Sequence, residues 1–174
     1  MYEQIAANKR RTALLVAAFV LLLVGVGVAL NLWLAGGWFG FVAIIVVVGL
    51  SSFLSYRNSD KVALRLSRAV PADPVEYARF HNLVEGLCIA SGLPKPRLYI
   101  VEDDAPNAFA TGRDPKHAAI AVTTGLLAKM NRVELEGVLA HELSHIRNYD
   151  ILVMTIAVTM VGITAAVSDI LLRF

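Results

Sequence analysis

His141-Glu142-Leu143-Ser144-His145 groups the three side chains best suited to hydrolytic chemistry in this 174-residue chain. An α-helix turns once per about 3.6 residues, so His141 and His145 share a face and can offer two imidazoles to one metal ion. Zinc favours nitrogen and sulfur ligands in a tetrahedron, and a catalytic site keeps one position for water. Glu142 follows the first histidine by about 100° of rotation. Its carboxylate then lies beside a metal and not on it, where it can take a proton from water and later return it to a leaving amine. The expectation is one zinc per chain, held by His141 and His145, with Glu142 as general base and acid.

Such a motif works only on a rigid helix. Asn131 with Glu134 three residues on is a capping pair. Leu135, Val138, Leu139, Leu143 and Ile146 then recur at helical spacing, and no proline interrupts Arg132 to Tyr149. Upstream lies a small α+β pattern. Asp73-Pro74-Val75-Glu76 reads as a helix start, with the helix running to Ser91 and ended by Gly92. Leu98–Glu102, Asn107–Thr111 and Ala118–Thr123 read as strands, with Gly112-Arg113-Asp114-Pro115 as a turn between the last two. A short helix over Thr124–Met130 leads into the motif helix. His81 and His117 lack metal-ligand spacing and read as a helix-surface residue and a turn or strand-end residue. Cys88, the single cysteine, excludes an internal disulfide and reads as a core residue.

The rest of the chain is strongly apolar. Charged residues make up 17%, against about 25% in ordinary soluble domains, and they are segregated. Ala13–Ala35 and Trp38–Tyr56 carry no charge, and each is close to the roughly 20 residues that span a bilayer core. Gly36-Gly37 leaves room for only a tight turn, so the two read as a transmembrane hairpin, with Trp33, Trp38 and Phe39 at the interface. A cleaved signal peptide fits poorly, because the first run is long and a second follows at once. Lys9, Arg10 and Arg11 precede the hairpin, and Arg57, Lys61, Arg65 and Arg68 follow it. The positive-inside rule then places both flanks, and the motif, in the cytoplasm. These basic residues are juxtamembrane and not interleaved with aromatics, so nucleic acid is not an expected partner. A third apolar run, Ile151–Leu172, follows the motif helix. Three regions result: a hairpin over 1–57, a cytosolic domain over 58–150 and a third hydrophobic segment over 151–174.

Asn107-Ala108-Phe109-Ala110-Thr111-Gly112, then Ala121-Val122-Thr123-Thr124-Gly125-Leu126-Leu127, then the His141–His145 helix, resembles the HtpX family of bacterial membrane zinc proteases, relatives of the CAAX prenyl endopeptidases. The order of segments matches as well, over nearly the whole chain. The resemblance implies a gluzincin-like catalytic domain joined to membrane helices. It also implies a multi-pass protein of the bacterial inner membrane that cleaves misfolded or damaged membrane proteins in quality control. Asn107-Ala108-Phe109 further resembles the substrate-binding strand of thermolysin-like enzymes, which makes Asn107 and Ala108 candidate substrate-binding residues. The physical basis is sound: an extended peptide can add to a sheet edge through main-chain hydrogen bonds.

One departure stands out. The family pattern takes its third ligand from a glutamate on a later helix, and no glutamate follows Glu142. The expectation is that this ligand lies beyond Phe174 and that the chain is the N-terminal portion of a longer protease. Asp150 and Asp169 are the later acids. On a continuous helix Asp150 falls about 140° off the face of His145, so it reads as a helix end or as a support behind the ligands. Two other classes stay open. One is a membrane-anchored protease-like binding protein without catalysis. The other is a membrane assembly component whose histidines are incidental.

Overall fold

The computed structural model describes residues 2–33, 37–151 and 153. Two long apolar helices come first, α1 (Tyr2–Trp33) and α2 (Gly37–Arg57). They pack closely: a Cβ on Gly27 would strike the Ile44 side chain at 2.5 Å. Their other faces leave Leu21, Leu32, Trp33, Phe39 and Val47 exposed. Among the described residues, one helix, Ile5–Trp33, is long and apolar enough to cross a membrane. The apolar stretch of α2, Gly37–Leu50, is shorter. The residues of the Ile151–Leu172 run other than Ile151 and Val153 lie outside the described residues, as do Leu34, Ala35 and Gly36 of the first expected span and turn.

The remaining elements build an α+β domain: α3 (Ser59–Leu66), β1 (Val70–Pro71), α4 (Ala78–Ser91), β2 (Arg97–Val101), β3 (Ala108–Gly112), β4 (Ala118–Thr123), α5 (Thr124–Lys129) and α6 (Arg132–Asn148). A short 3-10 helix, Pro115–His117, sits between β3 and β4. The sheet order is β1-β2-β4-β3, with β2 and β4 parallel and both outer strands antiparallel to their neighbours. Strand β4 is buried at every residue, Ala118 to Thr123, as a strand covered on both faces must be.

The strand period of two sorts residues between the faces. Leu98, Ile100, Ala118, Ile120 and Val122 face α4 and α6, where Phe80, Val84, Leu135, Leu139 and Ile146 complete the main core. Tyr99, Val101, Phe109, Ala119 and Ala121 face Leu64 of α3. Cys88 belongs to the main core, its thiol raised by burial.

The expected strands and short helix are present with ends shifted by a residue or so, and β4 has the expected bounds. The helix expected from Asp73 starts later. Asp73 Oδ1 does accept from the N–H groups of Val75 and Glu76, but this caps an isolated turn. Tyr77 leaves helical geometry at ψ 34, and the α-helix begins at Ala78. Gly92 ends α4 at φ 69, as expected. At the β3–β4 connection Gly112 has φ 138, and a Cβ there would meet the His117 carbonyl oxygen at 2.4 Å, so only glycine fits. His81 is half-buried on α4, with Nε2 3.1 Å from the Ala72 carbonyl oxygen. His117 ends the 3-10 helix, paired with Asp114.

Candidate active site

Helix α6 starts where its sequence requires. The Asn131 side chain accepts from the backbone N–H groups of Val133 and Glu134, and the Glu134 carboxylate accepts from the Asn131 N–H. Leu135, Leu139, Leu143 and Ile146 pin one face of α6 to the sheet. The opposite face carries His141, exposed, and His145, half-buried.

The two imidazoles meet as their four-residue spacing predicts. The Nε2 atoms of His141 and His145 lie 3.1 Å apart, with ring planes at 84°. Adjacent nitrogens around a tetrahedral zinc with bonds of about 2.0–2.1 Å are about 3.3 Å apart. The pair therefore suits two ligand positions on one ion. Among the described residues no third histidine, cysteine or carboxylate joins them to form a group of three.

Asp150 lies behind this pair. Its Oδ2 is 3.1 Å from Nδ1 of His145. A carboxylate only accepts, so Nδ1 carries the hydrogen, and in a neutral imidazole the lone pair then falls on Nε2, facing His141. The continuous-helix geometry put Asp150 far round from His145; the backbone resolves the conflict. Tyr149 adopts the left-handed conformation, φ 60 and ψ 21, and ends α6. The helix breaks there, and the next carboxylate, that of Asp150, comes within hydrogen-bond reach of His145. A non-glycine residue in this region costs about 1–2 kcal/mol.

Glu142 is half-buried between α6 and β3. Burial raises its carboxyl above the ordinary carboxylate value, against the opposing influence of His145, a hydrogen bond from the Ala110 N–H, and His141. That hydrogen bond links the motif helix to the sheet edge. The Thr123 N–H donates to the Asn107 carbonyl at 3.0 Å. Antiparallel ladders alternate, so Phe109 and Thr111 also direct their backbone groups to β4, while Ala108 and Ala110 direct theirs to the side that no strand covers among the described residues. The edge above Glu142 thus offers peptide groups spaced for another extended chain.

A cleft of about 390 Å³ follows this edge. Ala108, Phe109, Ala110 and Thr111 form its roof, Glu142, His145 and Asp150 one wall, and Ala63, Leu66 and Ser67 of α3 the other. The cleft includes Ala108 of the two expected substrate-binding residues. Asn107 precedes β3, outside the cleft lining, where its N–H donates to Thr123 Oγ1 at 2.9 Å. Asp169 and any ligand beyond it lie outside the described residues.

Residues 74–172 match the family described as Peptidase family M48. The chain belongs to that family. The "Protease HtpX homolog" of Thermoanaerobacter pseudethanolicus is 47% identical over 173 residues, covering 99% of this chain and 58% of that protein. The "Protease HtpX homolog" of Caldanaerobacter subterraneus subsp. tengcongensis is 46% identical over the same length, and that of Lactobacillus helveticus 43% over 175 residues. The HtpX resemblance seen in the motifs is thereby borne out. The chain spans somewhat over half the length of these relatives. In this M48 chain, sequence reasoning missed the Ala110 N–H and the α3 wall. Neither leaves a local signal: one depends on strand register, the other on a packing partner far along the chain.

Proposed function

We propose that the chain is part of an integral-membrane, zinc-dependent endopeptidase of gluzincin type. The observation that carries this reading is the placement of Glu142, His145 and the outer edge of β3 on one cleft, with His141 Nε2 facing His145 Nε2 beside it. His141 and His145 hold the zinc, and a third protein ligand comes from outside the described residues. The metal supplies Lewis acidity at that position.

An extended substrate segment adds along β3, its peptide groups bonding to the outward N–H and carbonyl of Ala108 and the outward carbonyl of Ala110, while the Ala110 N–H stays with Glu142. Main-chain recognition of this kind tolerates many sequences, which suits an enzyme that clears misfolded or damaged membrane proteins. The Glu142 carboxylate takes a proton from the attacking water and passes it to the nitrogen of the breaking peptide bond. The Ala110 N–H holds its orientation. Asp150 fixes the tautomer of His145.

The proposed organisation is a membrane hairpin over 1–57, a catalytic domain over 58–150 and a third membrane segment over 151–174. The positive-inside pattern supports a cytoplasmic active site in a multi-pass protein of the bacterial inner membrane. Casein cleavage by purified protein that carries the third ligand should vanish with chelator, return with zinc, and be absent in His141→Ala together with the metal. Cleavage that persists in metal-free protein would overturn the assignment. For topology, single cysteines at Gly37 and Asp114, in a Cys88→Ala background, should label from outside and inside the cell respectively. The reverse pattern would move the active site to the outer face.

A further inference from the structure

Helix α1 reaches the metal-binding pair through one side chain. Asn8 Nδ2 donates to the Asn148 carbonyl at 3.1 Å and also contacts Asp150 Oδ1. The other oxygen of the same carboxylate bonds His145 Nδ1. The neighbouring Lys9 ammonium lies 4.3 Å from the centroid of the Tyr149 ring. Together these contacts grip the three residues where α6 ends. They meet the two needs of that end: Asn148 has a helix C-terminal carbonyl with no partner further along the helix, and Tyr149 is held in the left-handed region.

We propose that Asn8 is a positioning residue for the metal site, acting through Asp150 on His145. The inference rests on the metal reading above. A carboxylate behind a ligating histidine sets its tautomer and ring angle, and such a carboxylate must itself be held. Within α6 Asp150 meets His145 itself, and its other oxygen meets Asn8 of α1. The restraint comes from a residue about 140 positions earlier in the chain, on the apolar helix proposed to enter the bilayer. The membrane helix is thereby part of the active-site scaffold as well as an anchor, and tilting α1 changes the geometry of His145.

The test is zinc affinity, read by chelator competition on the purified protein in detergent, with circular dichroism melting in metal-free buffer to follow folding. His141→Ala is the control for the metal reading and should lose binding. Asp150→Ala should weaken zinc by about 10–100-fold, the range found for groups behind metal ligands. Asn8→Ala should weaken it by about 10-fold on the same basis. Asn8→Asp, nearly isosteric, removes the donor and sets a second carboxylate against Asp150, so it should weaken zinc more than Asn8→Ala does. The Asn8→Ala/Asp150→Ala double variant should bind as Asp150→Ala alone, since the first residue acts only through the second. Wild-type affinity in both Asn8 variants, or independent losses that multiply in the double variant, would overturn the relay. Full zinc binding in His141→Ala would instead overturn the metal reading on which it stands.

Discussion

The two edges of the sheet are built for opposite ends. β1 is two residues long, and its Pro71 has no N–H to offer. It pairs with β2 through Val70 and Pro71 and leaves little backbone for another chain. Short edge strands and edge prolines are common ways to block unwanted pairing. β3 has five residues, contains no proline, and turns the peptide groups of Ala108 and Ala110 outward. It is also the edge that lies over Glu142. An exposed edge is a liability unless it has a use, and the contrast supports the use proposed for β3.

The largest expected effect tests whether β3 matters through Glu142. Glu142→Gln should lower proteolysis by at least about 100-fold, the scale of general acid–base catalysis, while zinc content is unchanged, since the proposed ligands are His141 and His145. Near-normal turnover in zinc-loaded Glu142→Gln protein would detach the open edge from the chemistry.

Next comes the edge itself. Ala110→Pro removes the N–H that holds Glu142 without taking a hydrogen bond from the β4 ladder, since that group points outward. Cleavage should fall by about 10–100-fold, as small misplacements of catalytic groups cost on that scale. Pro71→Ala at the other edge should leave the cleavage rate unchanged. Equal effects at the two edges would break the comparison.

Thr123 sharpens it at smaller amplitude. Its hydroxyl donates to the Ala105 carbonyl at 2.8 Å and accepts from the N–H groups of Asn107 and Leu126. One side chain thus fixes the start of β3 and caps α5. Thr123→Val should cost about 1–2 kcal/mol in denaturant unfolding, the range for a lost cap and stranded polar partners. A stability indistinguishable from wild type would show that β3 is placed by packing alone.

The smallest effect concerns the far end of β3. Burial alone would raise the Asp114 carboxyl, but the His117 ring and the backbone N–H groups of His117 and Lys116 outweigh it and hold it below the ordinary value. A carboxyl lowered on folding stabilises the fold above its unfolded pKa, about 3.9, and loses that contribution as pH falls through the folded value. Melting temperature between pH 5 and pH 3 should therefore drop less in Asp114→Asn than in wild type. Parallel curves would remove Asp114 from the acid response.

Much of the local structure was legible in the sequence. The capping pair of α6, its apolar stripe, the two-histidine face, the bounds of β4 and the stop at Gly92 all follow from interactions within a few residues, where helix and strand periods apply directly. The same periods failed where the chain departs from a repeating geometry. Asp73 was a valid cap, yet the turn it closed broke at Tyr77. Asp150 was put far from His145 by continuing the helix, and one left-handed residue, Tyr149, brought the two together. β1 and α3 were not foreseen, since two residues carry no period and α3 is held by Leu64 against β4. The contacts that complete the site join residues far apart: Ala110 to Glu142, Asn8 to Asp150, α3 across the cleft. The residue types that can do the chemistry are set by the sequence, because a local spacing suffices to pair them. Which edge stays open above them, and what holds His145 from behind, was decided by packing between distant segments, which no local pattern encodes.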